Sequence, residues 1–269
     1  MFVALLTDFG LTDTYVGVIH AIIASIAPGA TIVDLTHAVR PQDVVGGAWL
    51  LSTSIPYLPS DALVLAIVDP GVGTKRRPVA LRSQGRLFVA PDNGLLTRVL
   101  TEESTLESVT LDRERYWLPG GVPTSSTFHG RDIFAPVAAH LAAGVALAEV
   151  GSAIAPATLT RLTLSVPAWQ GDVLAGHVIH IDHFGNIITD LGPDLLPRLF
   201  AAERITAHVG RRVVRARATT FGEGPGSAPF WYPDSSGHAA IAWRNDSAAL
   251  RLGVGVGTLV RVEGFAKGE

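Results

Sequence analysis

The fold is decided near the start of the chain by the run Phe2–Thr7 (FVALLT), which precedes Asp8–Gly10 (DFG) and a segment of helical periodicity. An uninterrupted run of apolar and β-branched residues, ended by an acid and a glycine, predicts a buried strand. From Tyr15 to Ala27 the apolar residues recur at the spacing of one helix face, and the Pro-Gly pair that follows predicts the end of that helix. A buried strand followed directly by a helix indicates a layered α/β fold.

The same alternation of short apolar runs and amphipathic segments continues through the first half of the chain. Further strands are predicted at Thr31–Leu35, Ala62–Val68, Pro78–Leu81 and Leu87–Ala90. Further helices are predicted at Asp43–Leu51 and Arg131–Ala143. Strands that alternate with helices are typical of a mainly parallel sheet with flanking helices, and we expect that architecture for the N-terminal domain.

The pattern changes after Leu147, where prolines and small residues indicate a linker to a second domain. Strands separated by Gly, Pro and Asp are predicted at Val173–Ile181, Asn186–Thr189, Val213–Ala218, Ala239–Trp243 and Thr258–Val262. Within this half, only Asp194–Phe200 has helical character. We therefore predict an α/β domain at 1–165 and a smaller all-β barrel domain at 166–269.

The composition excludes several classes of protein. Of the 269 residues, 48% are hydrophobic and 17% are charged, which excludes intrinsic disorder. The formal net charge of −3 offers no electrostatic reason to bind nucleic acid or an anionic membrane. The chain contains no cysteine, so disulfides, thiolate catalysis and cysteine-ligated metal centres are excluded. No apolar run reaches the length of a membrane span and the N-terminus lacks the basic region of a signal peptide, so we expect a soluble cytoplasmic protein.

Three histidines, His177, His180 and His183, lie close together in sequence beside Asp182. The residues between them predict a strand, in which successive side chains point to opposite faces, so His180 is expected to face away from the other two. A mononuclear metal site needs ligands that converge on one point. We therefore predict no metal site in this chain.

Polar residues follow the predicted strands of the first half at the points where those strands end. Asp8 and Asp13 follow the first strand, Asp69–Arg76 follows the strand at Ala62–Val68, and Phe128–Asp132 opens a helix. In open α/β sheets, ligands bind outside the carboxyl ends of the strands, so these loops are the expected place of a functional site. The alternative for any single acid is a turn residue that caps the next helix.

Five short motifs, in order along the chain, resemble those of one enzyme family. They are Thr7–Gly10 (TDFG), Val68–Thr74 (VDPGVGT), Ala90–Gly94 (APDNG), Phe128–Asp132 (FHGRD) and Ile181–Asn186 (IDHFGN). The chain resembles the S-adenosyl-L-methionine (SAM) hydroxide adenosyltransferases, a group related to the SAM-dependent fluorinase and chlorinase. The resemblance extends from the acid of the first motif to the last predicted strand, which is essentially the whole chain.

The resemblance implies a homotrimer with active sites between subunits, and hydrolysis of its substrate SAM to adenosine and L-methionine without a cofactor. Motif matching assigns the catalytic residues as Asp69, Arg76 and His129. Asp69 and His129 are expected to accept hydrogen bonds from the attacking water, while Arg76 orients it or stabilises its hydroxide character. Because a neighbouring cation favours the ionised form of a carboxylate, we expect Asp69 to position the water more than to take its proton.

The resemblance also implies a set of substrate-binding residues from both domains. Asp8 would bind the ribose diol, Asp13 falls at a methionine-side position, Asp182 would hold the methionine amino group and Ser236 its carboxylate. Asn186 would contact an adenine edge, and Arg244 with its neighbour Asn245 would face adenine. Aromatic walls are expected at Trp49, Phe184 and Phe221.

Three alternatives remain open at this stage. The first is a SAM-dependent halogenase, which uses an anionic nucleophile that the Asp69 carboxylate would repel. The resemblance also implies that halogenases lack an acid at that position. It implies further that the fluorinase has a hydroxyl residue at the position of Gly130. A non-catalytic protein that binds an adenosyl ligand would need none of Asp69, Arg76 and His129. An unrelated α/β enzyme is the third alternative.

Overall fold

A mixed seven-stranded sheet forms the first of two units, Met1–Leu162, in the computed structural model of the chain, which describes residues 1–100, 107–118, 124–202 and 205–264. Its strands are β1 (Phe2–Thr7), β2 (Thr31–Thr36), β3 (Leu63–Ile67), β4 (Pro78–Ser83), β5 (Arg86–Pro91), β6 (Glu107–Thr110) and β7 (Ser152–Ala153). They are arranged in the order β2-β1-β3-β5-β4-β6-β7. The predicted α/β architecture of this half is confirmed.

The sheet has a parallel half and an antiparallel half. Strands β2, β1, β3 and β5 are mutually parallel, whereas β4, β6 and β7 are added antiparallel. The change of direction occurs at the β4–β5 hairpin, in which Ser83 pairs with Arg86 around the two-residue turn Gln84-Gly85. Both turn residues have positive φ, 49° and 82°, and such turns favour tight antiparallel hairpins.

Helices cover both faces of this sheet. They are α1 (Tyr15–Ile26), α2 (Val44–Ser54) and α3 (Ala135–Ala142), and one π-helical turn at Gly130–Phe134 leads into α3. Alternate residues of β1 point to opposite faces: Leu5 packs in the cluster that includes α1 and α3, and Leu6 packs in the cluster that includes α2. Two apolar layers around one sheet leave the strand ends and their loops as the exposed polar rim.

The second unit, Thr163–Glu269, is built on a nearly closed, barrel-like sheet, as predicted. Its strands are β8 (Ala168–Gln170), β9 (Val173–Ile181), β10 (Ile187–Thr189), β11 (Thr206–Val209), β12 (Arg212–Val214), β13 (Ala216–Arg217), β14 (Phe230–Pro233), β15 (Ala239–Ala242) and β16 (Leu259–Glu263). The order along the sheet is β12-β11-β16-β9-β10-β15-β14-β13, with β8 paired to β9. All pairs are antiparallel except β13–β14.

The prediction of a single helix in this half is wrong. Besides α4 (Leu196–Ala201), the second unit contains α5 (Ala248–Leu252). Helix α5 begins at Ser247, whose hydroxyl oxygen accepts a hydrogen bond from the backbone N–H of Leu250 at 3.2 Å. A serine before an apolar run is a helix-start signal. The helix was not predicted because the segment is too short to show helical periodicity. The strand predicted at Val213–Ala218 is interrupted and forms β12 and β13.

Within the described part of the chain, no helix is long and apolar enough to cross a membrane. The longest of these helices, α1, has 12 residues. At a rise of about 1.5 Å per residue such a helix spans about 18 Å, against about 30 Å for the hydrocarbon core of a bilayer. The predicted cytoplasmic location stays a prediction.

We expect Gly151→Ala to destabilise the first unit, because the backbone of β6 leaves no room for a side chain at this position, which directly precedes β7. A Cβ there would lie 1.8 Å from the carbonyl oxygen of Thr110 on β6 and 2.7 Å from its carbon. Backbone must shift to accept it, so we expect a loss of about 2 kcal/mol or more in the free energy of unfolding, measured by urea titration.

Gly17→Ala on α1 is the matched control. Apart from the helix backbone and the adjoining residues, no described atom lies within 4 Å of the added Cβ, so this substitution is expected to leave stability unchanged or to raise it by up to about 1 kcal/mol. Equal unfolding free energies for Gly151→Ala and the wild type would contradict the packing described for β6 and β7.

Candidate active site

A buried ion pair lies just past the end of β3. Arg76 donates from Nε to Oδ1 of Asp69 at 3.0 Å and from Nη2 to Oδ2, a two-point contact between a planar guanidinium and a carboxylate. The exposed fractions of the two side chains are 6% for Arg76 and 8% for Asp69. The loop that follows β3 therefore returns on itself and places its last residue against its first.

The conformation of this loop depends on close backbone packing. Thr74 closes two short turns by donating its N–H and its hydroxyl to the carbonyl oxygen of Gly71, at 3.1 and 2.7 Å. Gly73 has φ +75°, and a Cβ at this position would lie 2.2 Å from the carbonyl oxygen of Ser126. A residue without a side chain is required here, because the loop packs directly on the segment that leads to His129.

His129 completes the group. Its Nδ1 lies 3.3 Å from Nη2 of Arg76. A guanidinium has only donors, so Nδ1 must be the acceptor, and the neutral imidazole then carries its proton on Nε2. The structure thus brings the three predicted catalytic side chains into direct contact, with Arg76 in the middle.

Burial controls the protonation of both partners of Arg76. Burial raises the pKa of Asp69 above its ordinary value, and the charge and hydrogen bonds of Arg76 oppose this shift. Burial and the charge of Arg76 both lower the pKa of His129. The imidazole is therefore neutral at pH 7, and the Asp69 carboxylate is a stronger base than the arginine contact alone would make it.

One donor of Arg76 is left over. Nη1 is buried and has no hydrogen-bond partner among the described residues. The guanidinium carbon lies 5.1 Å from the centre of the Phe134 ring, so one face of the cation is covered by an apolar group. A buried donor left unpaired costs about 1–3 kcal/mol, so this nitrogen gains from pairing with a bound molecule or water.

Asp132 anchors the segment that carries His129. Its side chain is buried and accepts hydrogen bonds from the backbone N–H of Ser125 and from Nε of Arg131, both at 2.6 Å. Hydrogen bonds from Arg131 and Ser125 outweigh the effect of burial and lower the pKa of Asp132. The carboxylate therefore stays ionised and holds the π-helical turn against the backbone on which Gly73 packs.

Asp8 lies in the loop after β1, half-buried and in contact with a neighbouring loop. Its Oδ2 accepts a hydrogen bond from the backbone N–H of Gln42 at 2.8 Å, and Oδ1 has no hydrogen-bond partner in the described ranges. Gln42 has φ +68°, an uncommon conformation for a residue with a side chain. Sequence reasoning missed Gln42, because a backbone contact between distant loops has no sequence signal.

Two other predicted substrate contacts of this unit have different surroundings. Asp13 is exposed in the turn before α1. Trp49 lies on α2 with an exposed fraction of 4%, and the guanidinium carbon of Arg98 lies 5.3 Å from its ring centre. The predicted substrate contact of Trp49 stays a prediction, and little of its ring surface is accessible for one.

A cleft of about 620 Å³ opens on the surface of the second unit. Five of the predicted substrate-binding residues line it together: Phe184, Asn186, Phe221, Arg244 and Asn245. The remaining lining residues are Gly222, Trp243, Asp246 and Ser247. Both predicted phenylalanines are exposed at the cleft, by 75% and 51%, so the cleft presents aromatic surface beside amide and guanidinium donors.

Asp182 organises one wall of this cleft. Its Oδ1 accepts hydrogen bonds from the backbone N–H groups of Phe184 at 2.9 Å and Asn186 at 2.8 Å. Its Oδ2 accepts a third from Nδ2 of Asn186 at 2.7 Å. The turn between β9 and β10 is thereby held in one conformation, and Asp182 itself is absent from the lining of the cleft.

Ser236 lies outside the cleft lining, in a separate polar turn. Its hydroxyl donates to Asp234, with both carboxylate oxygens within 2.8 Å. Tyr232 connects this turn to the cleft: its ring centre lies 4.9 Å from that of Phe221, and burial together with the charges of Asp182 and Asp234 raises its pKa. Sequence reasoning missed Tyr232, which lies on a strand that was not predicted.

Comparison with known proteins gives a consistent result. Residues 3–151 match the SAM hydroxide adenosyltransferase N-terminal domain, and residues 176–261 match the C-terminal domain of the same family. A protein of Thermus thermophilus named "(R)-S-adenosyl-L-methionine hydrolase" is 44% identical over 96% of this chain and 97% of its own. A protein of Nocardia brasiliensis named "Fluorinase" is 30% identical over 97% of this chain and 96% of its own.

The fold is shared with a solved structure as well. The crystal structure of an uncharacterized conserved protein from Thermotoga maritima has a TM-score of 0.87 and 34% sequence identity. That similarity covers 97% of this chain and 99% of the other. With both domains matched in order over most of its length, the chain belongs to the SAM hydroxide adenosyltransferase family.

Proposed function

We propose that this protein hydrolyses SAM to adenosine and L-methionine, with a water molecule or hydroxide attacking C5′ of the ribose. The observation that carries the proposal is the Asp69–Arg76–His129 group, in which the ion pair is buried and Arg76 keeps one donor with no partner among the described residues. Membership of the family and the name of the Thermus thermophilus relative support the same activity.

The reaction suits a site made only of side chains. The sulfonium makes C5′ electrophilic, the oxygen–C5′ bond forms as the C5′–sulfur bond breaks, and the bonding pair leaves with sulfur as a neutral thioether. One proton is lost from the attacking water, and no electron changes hands. The leaving group needs no general acid, and C5′ needs no metal or redox cofactor. Holding the nucleophile in line can lower the barrier by several kcal/mol.

Each member of the buried group has a role that follows from its hydrogen bonds. Asp69 is the acceptor: its raised pKa suits it to hold or receive the proton of the water. Arg76 offers Nη1, and His129 offers its Nε2–H, as donors that stabilise developing hydroxide character. His129 thereby acts as a donor and not as the acceptor expected from sequence, because Arg76 already occupies its Nδ1.

The substrate-binding residues divide by chemistry. Asp8 has a free carboxylate oxygen and would bind the ribose diol through charge-assisted hydrogen bonds. In the second unit, Phe184 and Phe221 would stack on adenine, while Asn186 and Arg244 supply hydrogen bonds to its edges. A cleft of about 620 Å³ is within the usual range of small-molecule sites, about 300–1,000 Å³.

A halogenase is the less favoured alternative. A halide would have to approach within reach of the buried Asp69 carboxylate, where like charges repel. The relative named "Fluorinase" is also less similar, at 30% identity against 44% for the hydrolase. A protein that only binds an adenosyl ligand is disfavoured too, because binding alone gives no reason to bury an ion pair with a spare donor.

Hydrolysis in ¹⁸O-enriched water tests the proposed function. Attack of water at C5′ places the label in the 5′ oxygen of adenosine and leaves methionine unlabelled, which mass spectrometry of the two products detects. A parallel reaction in chloride buffer serves as the control for halogenation. Label in methionine, a 5′-chloro product, or no turnover of SAM would each contradict the proposal.

Conservative substitutions in the buried group are expected to slow the chemical step. Asp69→Asn replaces the basic carboxylate with a neutral amide that cannot take a proton, and Arg76→Lys removes the planar donor set. We expect each to lower kcat by about 100-fold or more. The double variant is expected to be little worse than either single one, because the groups act as a unit. Adenosine binding, measured by calorimetry, should be retained.

The neighbouring ion pair provides matched controls. Arg77 donates from Nε to Asp92 at 2.9 Å, so Asp92→Asn and Arg77→Lys perturb an ion pair of the same residue types, with a more exposed arginine, in the same unit. We expect these variants to keep the wild-type kcat. Equal losses of activity in both pairs would indicate a general loss of stability, and full activity of Asp69→Asn would remove it from the mechanism.

We also propose that the protein is a homotrimer in which Asp69 of one subunit and Asn186 of a neighbour serve the same site. The family resemblance supports this arrangement, and so does the exposure of Phe184 and Phe221, since exposed aromatic surface of this kind usually contacts a ligand or another chain. A closed ring of three identical contacts would provide three equivalent sites.

Mixing two inactive variants tests the shared site. Asp69→Ala and Asn186→Ala, co-expressed in equal amounts, should recover about one quarter of the wild-type activity, since about three-quarters of random trimers are mixed and each mixed ring contains one complete site. Each variant alone is the control. If subunit exchange is demonstrated by mass spectrometry and activity stays at the level of the single variants, the shared site is wrong.

A further inference from the structure

Three side chains of the first unit converge at a place that the proposed reaction does not use. His20 comes from α1, Asp34 from β2, and His37 from the turn after β2. Nε2 of His20 lies 2.8 Å from Oδ1 of Asp34, and Nε2 of His37 lies 3.0 Å from the same oxygen. One ligand atom from each residue lies within 4.8 Å of the other two.

His37 differs from an ordinary core histidine. Its side chain is only 3% exposed, and Nδ1 lies 2.8 Å from the hydroxyl oxygen of Thr7. Nε2 lies at ion-pair distance from Oδ1 of Asp34, outside ideal hydrogen-bond geometry, and it has no other partner in the described part of the chain. A buried ring nitrogen whose one polar neighbour is a carboxylate oxygen that a second imidazole also contacts is an observation in addition to the cluster itself.

We propose that His20, Asp34 and His37 form a binding site for a divalent transition-metal ion of the zinc class. Two imidazole nitrogens and one carboxylate oxygen are a ligand set that suits Zn²⁺, and three protein ligands leave a fourth position open to water. Access is available because the side chains of His20 and Asp34 are 36% and 40% exposed.

The geometry requires movement only of the partly exposed ligands. Metal–ligand bonds of about 2.0–2.1 Å at tetrahedral angles separate neighbouring ligand atoms by about 3.3 Å. The two nitrogen–oxygen distances are 2.8 and 3.0 Å, so the Asp34 carboxylate has to withdraw by a few tenths of an ångström. The two Nε2 atoms lie within 4.8 Å of each other, so His20 also has to adjust. The partial exposure of Asp34 and His20 allows both movements, and buried His37 can stay in place.

Thr7 supplies the supporting contact that such sites require. Its hydroxyl oxygen accepts a hydrogen bond from the backbone N–H of Phe9 at 3.2 Å and can accept another from Nδ1–H of His37. That tautomer leaves the lone pair of Nε2 for the metal. The carbonyl oxygen of His37 also accepts the N–H of Gly10 at 2.8 Å, so the site adjoins the turn that contains Asp8.

Zinc binding to the untagged, full-length protein tests the proposal. After removal of metals with a chelator, titration with ZnCl₂ by calorimetry is expected to show one equivalent bound per chain. Replacing zinc with Co²⁺ is expected to give the visible absorption of a four-coordinate ion. His20→Gln and Asp34→Asn, both at partly exposed positions, are expected to weaken zinc binding by about tenfold or more.

His140→Gln is the matched control, because His140 also lies on a helix, with its ring centre 5.1 Å from that of Tyr116. It is expected to bind zinc like the wild type. Equal zinc affinity in the wild type, His20→Gln and Asp34→Asn would overturn the proposal. Failure of the wild type to bind zinc would also overturn the proposal. The three residues would then form only a hydrogen-bonded cross-link.

Discussion

The buried contact between Arg76 and Asp69 is the interaction on which the rest of the first unit's candidate site depends. Removing one partner of such a pair leaves an uncompensated charge and typically costs about 3–5 kcal/mol, so the loop after β3 must keep its conformation. Gly73 allows that loop to pack on the backbone of Ser126, and Asp132 holds the same segment from the other side. The position of His129 follows from these contacts.

The same contact determines which hydrogen-bond donors and acceptors the site can offer to the attacking water of the proposed reaction. Arg76 donates hydrogen bonds to both Asp69 and His129. Asp69 therefore remains a hydrogen-bond acceptor, and His129 presents its Nε2–H as a donor. Burial then shifts their pKa values in opposite directions, upward for Asp69 and downward for His129. One hydrogen-bond acceptor, Asp69, and two donors, Arg76 and His129, suit the activation of a neutral water molecule. A halide ion would be repelled by the carboxylate of Asp69.

Much of the fold could be predicted from sequence, because uninterrupted apolar runs and helical periodicity are local properties. The runs that became β1, β3 and β9 were predicted almost to the residue. The antiparallel addition of β4 depends on the positive φ of Gln84, and the strand β11 depends on β16, which is distant in sequence. The short strand β14 depends on its pairing with β15. Short elements of this kind are stabilised by pairing more than by their own residues.

The sequence by itself determined the two-part architecture, the family and the three residues of the buried group, because these are carried by residue types in a fixed order. Only the tertiary structure decided what their atoms do: that Nη1 of Arg76 has no partner in the described ranges, that His129 presents a donor, and that burial strengthens Asp69 as a base. It also brought His20, Asp34 and His37 together from three elements. Hydrogen-bond direction and desolvation depend on neighbours from distant parts of the chain, and no local pattern of residues encodes them.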